Sequence, residues 1–229
     1  MKNLAIIQAR VGSSRLPFKM MLSLHGKPII EWVLKRVKKS KLLDEIVVAI
    51  PNTLNDDILA KYVKNLGFNV FRGSENNVLE RFYFAAKEYN PENIIRICAD
   101  NPLICPVEID NLINFFQKEK IDYAYNHIPK NNLYPDGLGA EITTFKNLET
   151  MYNEVTDKNH KEHCMSYIVE NPHKFNIKTF NPLDKNLHYP NLKFDIDTIE
   201  DYKYLMNKNF DMDIKALDLV KLFKQSYKK

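Results

Sequence analysis

Three cysteines in 229 residues, an odd number with no C-x-x-C spacing, exclude a disulfide framework and make a reducing cytoplasm the expected compartment. No apolar run approaches the roughly 18 residues of a membrane span, and the one after Lys2 is too short for a secretory signal. The six glycines never gather with serine into a flexible linker, and no internal repeat divides the chain. Charge of one sign is scarce too: 33 Lys and Arg face 29 Asp and Glu, and a net +4 is too weak to argue for nucleic acid. Aromatic residues do not interleave with basic runs as a stacking platform would require, and Lys228-Lys229 reads as a solvated tail. The G-x-x-x-x-G-K-[ST] phosphate loop is absent, as is any convincing Ser-His-Asp set or activated cysteine. What remains is a chain of 45% hydrophobic residues, long enough for one large domain over residues 1–229.

The chain opens on the apolar run Leu4-Ala5-Ile6-Ile7, which empties into a polar loop. That loop, Gln8-Ala9-Arg10-Val11-Gly12-Ser13-Ser14-Arg15-Leu16-Pro17-Phe18-Lys19, sets three cations around Gly12, Ser13 and Ser14. Backbone N–H groups, hydroxyls and guanidinium forks there can meet several phosphates at once. Gly26-Lys27-Pro28 follows, then Ile30, Val33, Leu34 and Val37 at helical spacing.

Strands are expected at residues 45–50, 69–71, 93–98, 122–125, 140–145 and 192–197. Between them lie helices at 78–89, 107–116, 146–155 and 160–169. A further helix is capped by Asn55, with Asp56 and Asp57 in its first turn, Ile58, Leu59, Tyr62, Val63 and Leu66 on its apolar face, and Gly67 at its end. Thr198 caps a last helix. Such repeated βα units imply an α/β fold, a mostly parallel sheet covered on both faces, with ligand at the carboxyl ends of the strands. Residues 127–191 break the pattern and read as an inserted segment of the same domain.

Asp100 directly follows the 93–98 strand, and Pro102 pins the chain beyond it. Asp195 and Asp197 stand two apart, so a strand there sends both to one face. Mg²⁺ takes one or two carboxylates plus phosphate oxygens and waters, which Asp100 with Asp197, and Asp195 beside it, can meet. His160-Lys161-Glu162-His163-Cys164 could ligate a metal, but a closed zinc site needs about four placed donors and the others are not in sight.

The opening loop, Arg96-x-x-Ala99-Asp100-x-Pro102-Leu103, Pro135-Asp136-Gly137-Leu138 and Asp195-x-Asp197-Thr198 together resemble one family. It is the cytidylyltransferases related to acylneuraminate and ketodeoxyoctonate cytidylyltransferases, in the branch of spore-coat polysaccharide biosynthesis. The resemblance implies a Rossmann-like nucleotidyltransferase that joins CMP from CTP to a sugar acid, with Mg²⁺ and release of pyrophosphate, for surface polysaccharide. By position, Gln8, Ala9, Arg10, Gly12, Ser13, Ser14, Arg15 and Lys19 would hold the nucleotide with Ala99 and Asp100, and Arg72 and Ser74 would lie near it. Arg15, Lys19, Asp100 and Asp197 would carry catalysis, and Asp100, Asp195 and Asp197 the metal. Asn126, Asp136, Glu141, His160 and His163 would face the small-molecule acceptor, and residues 127–191 would serve a homodimer. Phe18 departs from the family, which has glycine before the lysine. A phosphorylated acceptor giving a CDP product, a metal-dependent glycosyltransferase using Asp195-x-Asp197, and a non-catalytic nucleotide binder remain as alternatives.

Overall fold

The computed structural model describes residues 2–224, so Lys228-Lys229 lie outside the described residues. In chain order the elements are β1 (Asn3–Gln8), the short hairpin β2 (Ser23–Leu24) and β3 (Lys27–Pro28), α1 (Ile29–Val37), β4 (Glu45–Pro51) and α2 (Asp57–Asn65). Then come β5 (Asn69–Gly73), α3 (Val78–Tyr89), β6 (Asn93–Cys98), α4 (Pro106–Lys118), β7 (Tyr123–Tyr125) and β8 (Glu141–Thr144). The rest is α5 (Phe145–Glu154), α6 (Lys158–Glu162), α7 (Ser166–Glu170), β9 (Ile177–Thr179), α8 (Ile199–Met206) and α9 (Ala216–Lys224).

One seven-stranded sheet runs β5-β4-β1-β6-β8-β7-β9. Its first four strands are parallel, β8 pairs antiparallel with both β6 and β7, and β9 lies parallel to β7. The α/β class and the mostly parallel sheet expected from the sequence are therefore present. The period-two geometry of β1 sends Leu4 and Ile6 into one buried cluster and Ala5 and Ile7 into the other, so both faces are covered. The Leu4 and Ile6 cluster takes α3, α5 and α7; the Ala5 and Ile7 cluster takes α1, α2, α4 and α9. Residues 127–191 are woven into the sheet, contributing β8 and β9.

Several local expectations need correction. Asn55 is not a cap: Thr53 caps a short 3-10 turn, Leu54–Asp56, because its hydroxyl oxygen accepts the Asp56 N–H. Ile58 is 55% exposed, so it is off the apolar face of α2. Residues 160–169 form two short helices, α6 and α7, rather than one. Residues 192–197 are not a ladder strand: an isolated bridge, Asp136 to Lys193, and a bond from the Ile196 N–H to the Asp100 carbonyl tie them to neighbouring loops. Gly67 does end α2 in the left-handed conformation, at φ +82°.

Candidate active site

Parallel register brings the two halves of the site together. Gln8 at the end of β1 lies beside Cys98 at the end of β6, and the Ala99 N–H donates to the Gln8 carbonyl. The polar loop and Asp100 therefore leave the sheet side by side. The loop is pinned from below by Asp56, a buried carboxylate that accepts the Val11 N–H at 2.7 Å and the Thr53 hydroxyl at 2.7 Å. Val11 in turn accepts from the Ser13 and Phe18 N–H groups. Phe18 takes a left-handed conformation, φ 56° and ψ 21°, with its ring half in solvent. The turn is thus made by a residue that pays a steric penalty.

The loop walls a cleft of about 250 Å³ lined by Gln8, Ala9, Arg10, Ser13, Ser14, Arg15, Lys19, Cys98, Ala99, Asp100, His163 and Asp197, with Arg96 beneath. Lys19 is its centre: Nζ stands 3.0 Å from Asp100 Oδ2 and 3.5 Å from Asp197 Oδ1. Arg15 reaches Asp197 with both terminal nitrogens, at 3.2 and 3.0 Å. Two carboxylates from distant parts of the chain thus already converge on one cation. Among the described residues no group of three or more His, Cys, Asp or Glu is placed to hold a metal ion. A magnesium ion needs only one or two carboxylates when phosphates and water complete its shell, so Asp100 and Asp197 could hold it.

Other expected residues lie elsewhere. Gly12 does not line the cleft; Arg10 does, and it also stands 3.9 Å from Glu162. Arg72 is spent on the Pro51 and Thr53 carbonyls and on Asp57, and the Ser74 hydroxyl accepts the Asn77 N–H. Asp195 does not line the cleft: one oxygen is 3.4 Å from Lys193 and the other is buried without a partner. Without a strand there, the 195 and 197 carboxylates do not share one cation. Burial, the Asp195 charge and the other nearby carboxylates raise Asp136 to about 7, and burial with the Asp100 and Asp197 charges raises Asp195 as well. Gly137, between these segments at φ +85°, has no room for a side chain, because a Cβ would come within 2.7 Å of the Asp195 nitrogen. Asn126 is fully buried, donating to the Glu108 carbonyl and accepting from the Ala140 N–H, so it cannot face an acceptor. His160 lines neither cavity and bonds the Ser166 hydroxyl instead.

Behind the cleft lies a larger cavity, about 530 Å³, whose lining includes Glu141 and shares Arg96 and His163 with the cleft. Its floor is an ion pair, Arg96 on Glu141, whose other oxygen accepts the Tyr123 hydroxyl. Burial opposes ionisation of Glu141, but Arg96, His127 and the Tyr123 hydroxyl together hold its pKa below the ordinary value. Arg96 also donates to Gln8 Oε1 at 3.3 Å, linking the two spaces. The sequence reading has Arg96 only within a shared motif and gives it no role. The available signal was a charge in the middle of a central apolar strand, which must find a partner.

A doubly covered parallel sheet with an anion loop and an acidic pair at its carboxyl edge defines a nucleotidyltransferase of Rossmann-like fold. Residues 4–227 match the family model described as cytidylyltransferase. A spore coat polysaccharide biosynthesis protein, SpsF, of Bacillus subtilis is 32% identical, over 97% of this chain and 94% of that protein. An uncharacterized protein of Methanocaldococcus jannaschii is 41% identical over 93% and 86%. The structure of a cytidylyltransferase from Leptospira borgpetersenii superposes with a TM-score of 0.89 at 31% identity, covering 99% and 95%. The chain belongs to the cytidylyltransferase family. Among the described residues no helix is long and apolar enough to cross a membrane.

Proposed function

We propose that this enzyme transfers CMP from CTP to a sugar acid, releasing pyrophosphate, in the making of a surface polysaccharide. The observation that carries this is the Lys19 ammonium set between Asp100 and Asp197 at the mouth of the Gln8–Arg15 loop. Support for the sugar acid comes from the motifs shared with acylneuraminate and ketodeoxyoctonate cytidylyltransferases, and for the polysaccharide from the likeness to the Bacillus subtilis spore-coat protein. In this reading an acceptor hydroxyl oxygen bonds the α-phosphorus as the bond to the bridging oxygen breaks, and pyrophosphate leaves. The hydroxyl proton passes to Asp197, which lines the cleft where Asp195 does not. Arg10, Arg15 and Lys19 hold the triphosphate and meet the charge that grows on the leaving group. Asp100 and Asp197 would hold Mg²⁺, which when bound neutralises phosphate charge.

The test is to incubate the protein with each NTP, Mg²⁺ and a pool of sugar acids. Pyrophosphate should appear with CTP far above ATP, GTP or UTP and vanish with EDTA. Mass spectrometry should find one phosphate between cytidine and sugar. A preference for another NTP overturns the cytidylyl reading, and a CDP-linked product overturns the sugar acid.

A further inference from the structure

The segment that carries Asp197 is held without a strand ladder, so the few bonds on it decide where that carboxylate stands. Phe194 and Ile196 anchor it in the core, both fully buried. The Phe194 N–H donates to the Asp136 carbonyl at 2.9 Å, and the Ile196 N–H donates to the Asp100 carbonyl at 2.8 Å. The second bond ties the residue beside one acid to the main chain of the other. Beyond Ile196 the chain turns into α8, and there a further carboxylate takes hold.

Asp201 lies in the first turn of α8, and a single oxygen of it, Oδ2, accepts from three residues. The donors are the Thr198 N–H at 2.8 Å, the Thr198 hydroxyl at 3.0 Å, the Asp197 N–H at 3.0 Å and Lys193 Nζ at 2.9 Å. The Asp201 N–H donates back to the Thr198 hydroxyl oxygen at 3.2 Å, which completes the reciprocal cap of the helix. Capping accounts for the bonds with Thr198. It does not account for the Asp197 N–H, one residue before the cap, or for the lysine. Lys193 also stands 3.4 Å from Asp195, so its ammonium offsets acidic charge that would otherwise add to the field of Asp100 and Asp197. Asp197 is thus fixed through its own N–H by Asp201 and through the preceding N–H by Asp100, while Arg15 and Lys19 meet its side chain.

Resting on the cytidylyl-transfer reading, we propose that Asp201 is a positioning residue: through the Asp197 N–H it sets where the Asp197 carboxylate meets a divalent cation shared with Asp100. It does not line the cleft and so acts only through Asp197, with Lys193 holding it and cancelling its charge. Groups that stand behind a metal ligand in this way typically change metal affinity or activity by about 10- to 100-fold.

The experiment measures Mn²⁺ affinity by water proton relaxation, with the protein saturated by a non-hydrolysable CTP analogue, together with kcat, KM for CTP and the urea midpoint. Asp201→Ala should weaken Mn²⁺ about tenfold and lower kcat about tenfold, with KM for CTP within about threefold. Asp201→Asn keeps an acceptor oxygen for both N–H groups and should recover most of the Mn²⁺ affinity. Thr198→Ala breaks the same cap from its other side, so it should lower the urea midpoint as Asp201→Ala does yet leave Mn²⁺ affinity within about twofold. Should Asp201→Ala fail to fold, Asp201→Glu serves instead. Glutamate also completes a capping box but carries the oxygen one methylene further, so Mn²⁺ should weaken about fivefold at an unchanged midpoint. The proposal is overturned if the wild type takes no Mn²⁺, if Asp201→Ala or Asp201→Glu binds it as the wild type does, if Asn rescues nothing, or if Thr198→Ala loses as much affinity as Asp201→Ala. Failure of the broader reading would look different: the wild type would release no pyrophosphate from CTP, whatever its affinity for Mn²⁺.

Discussion

The two cavities meet at Arg96, yet they manage charge in opposite ways. In the cleft, Arg15 and Lys19 hold Asp100 and Asp197 across distant parts of the chain, with the Arg15 side chain 64% exposed. Solvent screens the Arg15 pair, so it adds little to stability, whereas Lys19 is buried and its ammonium rests on two carboxylates that still face the cleft, where a triphosphate can rearrange them. In the cavity, Arg96 and Glu141 are paired away from water within the sheet, across the antiparallel β6–β8 register. There the protein has balanced its own charges, and the ligand need bring none. Rearrangeable charge suits a polyanion that binds and leaves as pyrophosphate; fixed charge suits shape recognition.

Breaking the fixed pair should have the largest effect. Arg96→Ala leaves Glu141 buried without its partner and should cost about 3–5 kcal/mol in urea unfolding, most of which the double change Arg96→Met with Glu141→Leu should restore. If the single change costs under about 1 kcal/mol, the pair is not fixed in the sense argued. In the cleft the loss should fall on rate instead. Asp100→Asn or Asp197→Asn should lower kcat about a hundredfold, on the order of 3 kcal/mol, with CTP affinity and stability little changed. Near wild-type turnover in either variant would remove that aspartate from the metal site.

The carboxylates beside the cleft are tested by pH. Asp136 titrates near 7 in the folded protein against 3.8 as its ordinary value. The folded state then binds the proton more tightly than the unfolded state, so this group's contribution to stability falls as pH rises from about 4 to 7. Asp136→Asn should remove that fall, seen as a flatter profile of unfolding free energy against pH. An unchanged slope refutes it.

Phe18→Gly should sharpen the picture of the loop: relief of the left-handed conformation is worth about 1 kcal/mol, partly offset by the entropy of glycine. A melting temperature that rises slightly, with CTP affinity unaltered or lower, is expected. Smallest of all, Arg15→Ala should change stability by no more than about 0.5 kcal/mol while weakening CTP binding.

The legible parts of the chain were those with long local signals. β1, β4 and β6 are strands of six or seven residues built on apolar runs, and α3 repeats its inner face through Leu79, Phe82, Tyr83 and Ala86. The loop and Asp100 were readable because they follow such strands directly. β9 is three residues at the sheet edge with Lys178 exposed, too short to carry a period. α9 did carry one, with Ala216, Leu219, Val220 and Phe223 buried at i, i+3, i+4 and i+7, and it was passed over as part of a basic end. Residues 192–197 alternate like a strand because Phe194 and Ile196 are buried, but alternation reports burial on one side and not a ladder. Asn126 and Arg72 look like ligand groups on paper. Only the fold reveals that main-chain carbonyls and N–H groups already occupy them.

The thiols hold a practical consequence. Cys98 lines the cleft, Cys105 precedes α4 on one face of the sheet, and Cys164 is buried on the other. Burial pushes Cys98 up to about 12, Cys164 up to about 11 and Cys105 above its ordinary value. At neutral pH the folded protein therefore offers almost no thiolate to an alkylating reagent. Modification of Cys105 and Cys164 must wait for local opening, whereas Cys98 is partly open to the cleft, and the three sites report on three different places. Timed labelling followed by peptide mass spectrometry would turn the native chain into its own set of clocks, with occupancy of the cleft slowing the one at Cys98.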